Sequence, residues 1–187
     1  VLGLSSRLEG EEMPVRIEGF AGGDRSSLDL PKVQQQLMEE VVAAAKGKPV
    51  VLVLQNGSAL SIGWADANVP AIVEAWYGGQ AGGTAVGDVL FGNVSPAGRL
   101  PLTFYRSVDE LPPFDDYAMK GRTYRYFTGA PLYPFGHGLS YSRFAYAKLV
   151  VPKKAAVGAP VAVAVEVQNA GAVASDEVVQ LYVTDRE

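Results

Sequence analysis

The chain has 187 residues, 48% of them hydrophobic, which is enough apolar material for one good core or two small ones. A formal charge of -4 leaves no basic stripe to gather phosphates and argues against nucleic acid as a partner, and a neutral substrate fits at least as well. With no cysteine in the chain, disulfides, thiol catalysis and thiolate metal sites are excluded.

The chain opens on the apolar run Val1, Leu2, Gly3, Leu4, read as a strand entered part-way, with no basic and apolar leader before it. Residues 5–29 are polar and carry glycines at 10, 19, 22 and 23, a pattern that breaks a helix and predicts an ordered functional loop. Val33, Leu37, Met38, Val41 and Ala45 then recur at helical spacing. This predicts an amphipathic helix over residues 31–46, with Asp29 at the cap, Pro31 in the first turn and Gly47 as the stop.

Residues 50–54 form an unbroken, β-branched-rich apolar run of the kind found in a parallel strand covered on both faces, and residues 71–76 predict a second strand. A short helix over residues 84–91 follows, with Val86, Val89, Leu90 and Phe91 expected inward. The alternation of strand and helix predicts a layered α/β domain. Residues 96–137 are rich in proline, glycine and aromatics and predict an irregular extension over a surface. Within it, Arg122, Tyr124, Arg125 and Tyr126 read as an extended run. From residue 144 the chain alternates at period two over residues 145–151, 161–167 and 178–183, the pattern of a β-sandwich. Such a module needs about seven strands, so both ends of the sequence read as cuts through a larger chain. The longest apolar runs fall far short of the roughly 20 residues of a membrane helix, so no membrane association is expected.

The chemistry-bearing cluster is Leu8-Glu9-Gly10-Glu11-Glu12, placed after the first strand and followed by Gly23-Asp24-Arg25. Strand-end loops are where α/β proteins put ligands, although composition alone allows a solvated acidic loop. Asp24 and Arg25 read either as sugar-binding groups or as an ion pair pinning the loop. Trp64, in a polar stretch, is a candidate cleft wall, whereas Trp76, at a strand end, is a candidate core residue. His137, the one histidine, reads as stabilising a turn, and no metal site is expected. The glycines of residues 78–84 lack the lysine of a phosphate loop, which disfavours a nucleotide-binding domain. Asn56-Gly57-Ser58 and Asn93-Val94-Ser95 match short glycosylation patterns that also arise by chance.

Taken in order, several of these motifs resemble glycoside hydrolase family 3: the acidic loop, Gly23-Asp24-Arg25, Leu30-Pro31, Gln55-Asn56-Gly57, and Glu74-Ala75-Trp76-Tyr77-Gly78-Gly79-Gln80. So do Asp88-Val89-Leu90-Phe91-Gly92, Pro96-Ala97-Gly98-Arg99-Leu100-Pro101 and Tyr133-Pro134-Phe135-Gly136-His137-Gly138-Leu139-Ser140-Tyr141. Asn169-Ala170-Gly171 and Glu177-Val178-Val179-Gln180-Leu181-Tyr182-Val183 are similar to that family's fibronectin type III-like module. The resemblance implies a partial α/β sandwich domain over residues 1–140 and the first strands of a fibronectin-like sandwich over residues 141–187. It also implies a retaining exo-β-glycosidase that removes glucose or xylose from β-linked oligosaccharides or glycosides. The Asp nucleophile would sit on a barrel domain of the same enzyme, and the general acid/base would be Glu9, with Glu11 and then Glu12 as alternates. No cofactor is implied, the expected location is the periplasm or the exterior, and a homodimer is allowed. The competing reading is a non-catalytic carbohydrate- or protein-binding module.

Overall fold

The computed structural model describes residues 1–10 and 12–184. Two compact units emerge, the first comprising Val1–Val86 with Leu100–His137 and the second Gly87–Arg99 with Gly138 onward.

In the first unit, β1 (Leu2–Gly3), β4 (Val51–Gln55) and β5 (Ala71–Glu74) form a parallel sheet in the order β1-β4-β5. Leu2 lies opposite Leu54, and Leu54 opposite Glu74, so the carboxyl ends of all three strands arrive at one edge. A small hairpin of β2 (Phe20–Ala21) and β3 (Asp24–Arg25) interrupts the connection from β1 to the first helix. β4 is the central strand, and burial of its Leu52, Val53 and Leu54 explains its continuous apolar sequence.

Helix α1 (Lys32–Ala44) forms where the periodicity predicts it, but with two differences. Its N-cap is Pro31, whose carbonyl accepts from the Gln34 and Gln35 N–H groups, whereas Asp29 is tied into a local turn with Ser27. The apolar stripe is also only partly used: Met38 is buried, yet Val33 is 71% and Leu37 51% exposed. A paired β1 of only two residues gives too little sheet surface to cover the whole stripe. The contact that fixes α1 is polar, with the Gln34 amide bonding both the Gly3 N–H (2.8 Å) and the Gly3 carbonyl (2.7 Å). It thereby satisfies the backbone groups that β1 does not pair with β4.

The core joins Leu4, Leu30, Met38, Leu52, Leu54, Leu60, Ile62, Ala65, Val69, Phe104 and Leu132. The last two come from the irregular proline-rich segment, which therefore supplies core as well as covering surface. Phe104 is fully buried, meets the Trp76 and Tyr133 rings edge-on, and forms an isolated backbone bridge with Tyr133. Arg122, Tyr124, Arg125 and Tyr126 are not extended. Helix α4 (Thr123–Tyr126) contains three of them, and the Arg122 guanidinium donates to the carbonyls of Pro113, Asp116 and Ala118. The demand of those carbonyls for a donor outweighs the apparent alternation. His137 stacks on Tyr133, and its N–H closes a turn onto the Pro134 carbonyl.

Helix α3 (Gly82–Leu90) buries none of its residues, and Phe91, expected inward, lies beyond its end and is 86% exposed. The second unit carries an antiparallel pair, β6 (Phe144–Val150) and β7 (Ala164–Asn169). Described residues 178–184 form no strand, because a period-two pattern becomes a strand only where an edge pairs with it. Among the described residues no helix is long and apolar enough to cross a membrane.

Candidate active site

Three parallel strands end side by side, and each is followed by a turn carrying polar groups. After β1 the chain turns at Ser5, whose carbonyl accepts from the Leu8 and Glu9 N–H groups, and this presents Glu9. After β4 come Asn56, Gly57 and Ser58; after β5 come Ala75, Trp76 and Tyr77. The loop between β1 and α1 contributes Arg25 from its hairpin. Gly57, Ser58, Tyr77 and Arg25 converge on the Glu9 carboxylate. The Gly57 N–H donates to Oε2 at 2.7 Å, the Tyr77 hydroxyl donates to the same oxygen, and the Ser58 hydroxyl donates to Oε1. Arg25 Nη1 stands 3.6 Å from Oε1.

Burial by itself pushes the Glu9 carboxyl up. The hydrogen bonds from Ser58, Tyr77 and Gly57 and the Arg25 charge outweigh it, so the net position is below the usual carboxylate range. Burial, followed by the hydrogen bond to Glu9 and its charge, raises the Tyr77 hydroxyl and keeps it a donor. One turn deeper, burial pushes Glu74 up to about 7, against hydrogen bonds from the Trp76 N–H and Asn56 that pull it down, while the Glu9 charge adds to the rise.

Two glycines permit this convergence. A Cβ on Gly57 would stand 2.7 Å from Tyr77 Cε2 and 3.3 Å from Glu9 Oε2. Gly23, with φ +94, would bring a Cβ within 1.8 Å of the Gly10 carbonyl oxygen. The resulting depression, about 360 Å³, is lined by Glu9, Gly10, Gly23, Asp24, Arg25, Gly57, Ser58 and Tyr77.

Of the residues singled out from sequence, Glu9, Asp24 and Arg25 line this depression and Trp64 does not. Trp64 is not in a loop: it belongs to helix α2 (Gly63–Asn68) and packs against the core cluster. Its neighbours Ile62 and Ala65 are buried, and that apolar surface takes the indole with it. The expected Asp24–Arg25 pair does not form; Arg25 turns to Glu9 and Asp24 is exposed. Consecutive residues on a strand face opposite sides, which keeps the two apart. Glu12 is exposed in a turn with left-handed backbone (φ 53), and Glu11 lies outside the described residues.

Ser58, Asn56 and Glu74 were not anticipated as site residues. Asn56 is fully buried, so Asn56-Gly57-Ser58 serves as a turn and not as a glycosylation acceptor. The available signal is position for Asn56 and Ser58, which follow the predicted strand over residues 50–54; Glu74 falls inside the strand predicted over residues 71–76, which ends at Glu74 in the structure. Among the described residues no group of three His, Asp or Glu side chains is placed to hold a metal ion.

A parallel α/β layer that gathers a multiply hydrogen-bonded carboxylate at the carboxyl ends of its strands belongs to the class of α/β domains that build a ligand site from strand-end loops. Comparison with known proteins narrows that class. Residues 1–141 match the glycosyl hydrolase family 3 C-terminal domain, and the chain belongs to that family. It is 50% identical over 181 residues to a xylan 1,4-beta-xylosidase of Xylanibacter ruminicola, covering 97% of this chain and 21% of that protein. It is 39% identical over 175 residues to a periplasmic beta-glucosidase of Salmonella typhimurium, covering 86% of this chain and 22% of the relative. The crystal structure of a Bifidobacterium adolescentis family 3 beta-glucosidase superposes with a TM-score of 0.75 at 34% identity, over 93% of this chain and 26% of that one. The chain thus spans about a fifth of the length of the curated relatives it matches.

Proposed function

We propose that this chain is the acid/base-bearing part of a retaining exo-β-glycosidase that releases terminal β-linked sugar from oligosaccharides or glycosides. The observation that carries this reading is the convergence of the turns after β4 and β5 and of Arg25 on the carboxylate Glu9, beside an open depression. Xylose is the favoured sugar and glucose the alternative, because the relative at 50% identity is a xylosidase and the one at 39% a glucosidase. The periplasmic relative supports export as the location. Residues 1–140 are the α/β domain, and the β6–β7 pair opens a fibronectin type III-like module over residues 141–187.

Retaining chemistry needs a second carboxylate roughly 5 to 5.5 Å from the first, and the partner is an Asp on a barrel domain of the same enzyme. The donors around Glu9 favour its ionised form, the form that takes a proton from water in the second half of the reaction. The first half needs the protonated form, and the charge of the nucleophile across the cleft provides the upward push. Once the nucleophile is esterified that charge is gone, and Glu9 returns to its low position as the base. Tyr77, Ser58 and the Gly57 N–H aim the carboxylate, and Asp24, exposed on the rim, accepts from sugar hydroxyls.

The test is Glu9→Ala in the whole enzyme. On activated aryl glycosides kcat/KM should be nearly unchanged while kcat falls, because deglycosylation has lost its base, and azide should restore part of that kcat as a glycosyl azide product; natural glycosides should lose about 100- to 10,000-fold in kcat/KM. Equal losses on both substrates without rescue assign the role elsewhere.

A further inference from the structure

Glu74 ends β5 and does not touch the open depression, yet it sits between the two turns that hold Glu9. Its Oε2 accepts from Asn56 Nδ2 at 3.3 Å, and its Oε1 accepts from the Trp76 N–H at 3.2 Å. Asn56 is fully buried, and its amide also donates to the Ser58 carbonyl at 2.8 Å. Asn56 Oδ1 finds no hydrogen-bond partner among the described residues, a desolvation cost that an apolar side chain would not carry. Trp76 is held with φ 52, a left-handed backbone that a bulky residue takes only when its surroundings impose it. That twist turns the chain so that the next residue, Tyr77, reaches Glu9. A partly buried carboxylate, an orphaned amide oxygen and a tryptophan with left-handed backbone thus occur together at the ends of β4 and β5.

We propose that Glu74 is a positioning residue for Glu9. Through Asn56 it fixes the 56–58 turn, and through the Trp76 N–H it fixes the turn bearing Tyr77, so that the donors to Glu9 keep one geometry. This rests on the acid/base reading of Glu9 and adds the support behind it. Displacement of a catalytic group by about 1 Å is enough to cost roughly 100-fold, so a residue that never meets the sugar can have a large effect.

The experiment compares Glu74→Leu, Glu74→Gln and Glu9→Ala in the whole enzyme, on an activated aryl glycoside and an unactivated alkyl glycoside of the same sugar. For Glu74→Leu the expected result is a fall in kcat/KM, which reports the step that expels the leaving group, of about 100-fold on the alkyl glycoside and less than about tenfold on the aryl glycoside. The basic limb of the pH profile should move with it. Glu74→Gln, which keeps the volume and one acceptor, should show the same selectivity at several-fold. Equal losses on both substrates with an unmoved pH limb overturn the proposal, because a merely structural role lowers the amount of active enzyme without regard to the leaving group. If Glu74→Leu does not fold, Glu74→Gln decides, and a loss that is absent or independent of the leaving group counts against the proposal. If Glu9→Ala itself shows no dependence on the leaving group, the acid/base reading fails first. If Glu9→Ala shows that dependence and the Glu74 variants do not, only the role of Glu74 fails.

Discussion

Arg25 Nη1 lies 3.6 Å from Glu9 Oε1 while the same nitrogen donates to Ser58 Oγ at 2.8 Å and to the Ala59 carbonyl at 3.1 Å. The guanidinium also bonds the Ser27 and Asp29 carbonyls, so the hairpin, the start of α1 and the 58–59 turn are joined around one planar cation. With side chains 11% and 8% exposed, the pair is shielded enough for its geometry to matter.

Arg25→Ala leaves the Glu9 charge without its cation and several carbonyls without a donor. A loss of about 3 kcal/mol is expected, read by calorimetry as a fall in Tm of several degrees. Arg25→Lys should recover less than half of this, because an ammonium cannot serve five acceptors fanned around a plane. Equal stability of the lysine variant and the wild type would show that charge alone matters.

Gly57→Ala tests the convergence sterically. The new methyl would meet Tyr77 Cε2 at 2.7 Å, and the half-exposed ring is the group free to yield, so the hydroxyl moves off Glu9. Glu9 then loses one of the bonds that favour its ionised form. Gly57→Ala and Tyr77→Phe should both move the basic limb of the kcat/KM profile to higher pH, with little change in Tm. A shift to lower pH, or a collapse of stability, contradicts this account.

The two carboxyl groups act oppositely on stability. Glu9 is held below its usual value of 4.5, so its contribution is complete above that pH and is lost as pH falls through the folded value. Glu74, raised from 4.5 to about 7, keeps its proton in the folded state where the unfolded chain has lost it. Stability therefore falls as pH rises from 4.5 to 7, and the penalty is complete above 7, on the order of 2 kcal/mol after solvent screening at a partly open strand end. Glu74→Gln should flatten the decline in Tm between pH 5 and 8, and an unchanged slope would show that Glu74 is ionised throughout.

The sequence revealed those elements whose pattern is local. The apolar run of β4, the 3.6-residue period of α1 and the acidic strand-end loop each state their own conformation. What escaped depends on partners distant in the chain. Val33 and Leu37 carry a helical period that says nothing of how much sheet lies beneath, and residues 178–183 alternate yet form no strand. The sequence offers Arg25 its neighbour Asp24, whereas its partner, Glu9, is brought near by the hairpin. Tyr77 and Ser58 meet Glu9 across 68 and 49 positions, and only the parallel order β1-β4-β5 makes them neighbours.

In the second unit the Glu177 carboxylate has one oxygen 2.6 Å from Arg99 Nη2 and the other 2.6 Å from the Tyr146 hydroxyl. Arg99 in turn donates to the Ala97 and Gly98 carbonyls, so one side chain joins the 97–99 turn to β6 and to the segment beyond β7. A Cβ on Gly138 would meet the Gly98 carbonyl at 2.4 Å, and the turn therefore has no slack on its other side. The pair is largely shielded, at 11% and 14% exposure, and removing one partner strands the other. Arg99→Met should open this unit locally, giving faster amide exchange across β6 and β7 and unchanged exchange in β4. Glu177→Gln, which can still accept from Tyr146, should open it less. Equal acceleration in β4 would mean that the contact supports the whole chain and not this unit alone.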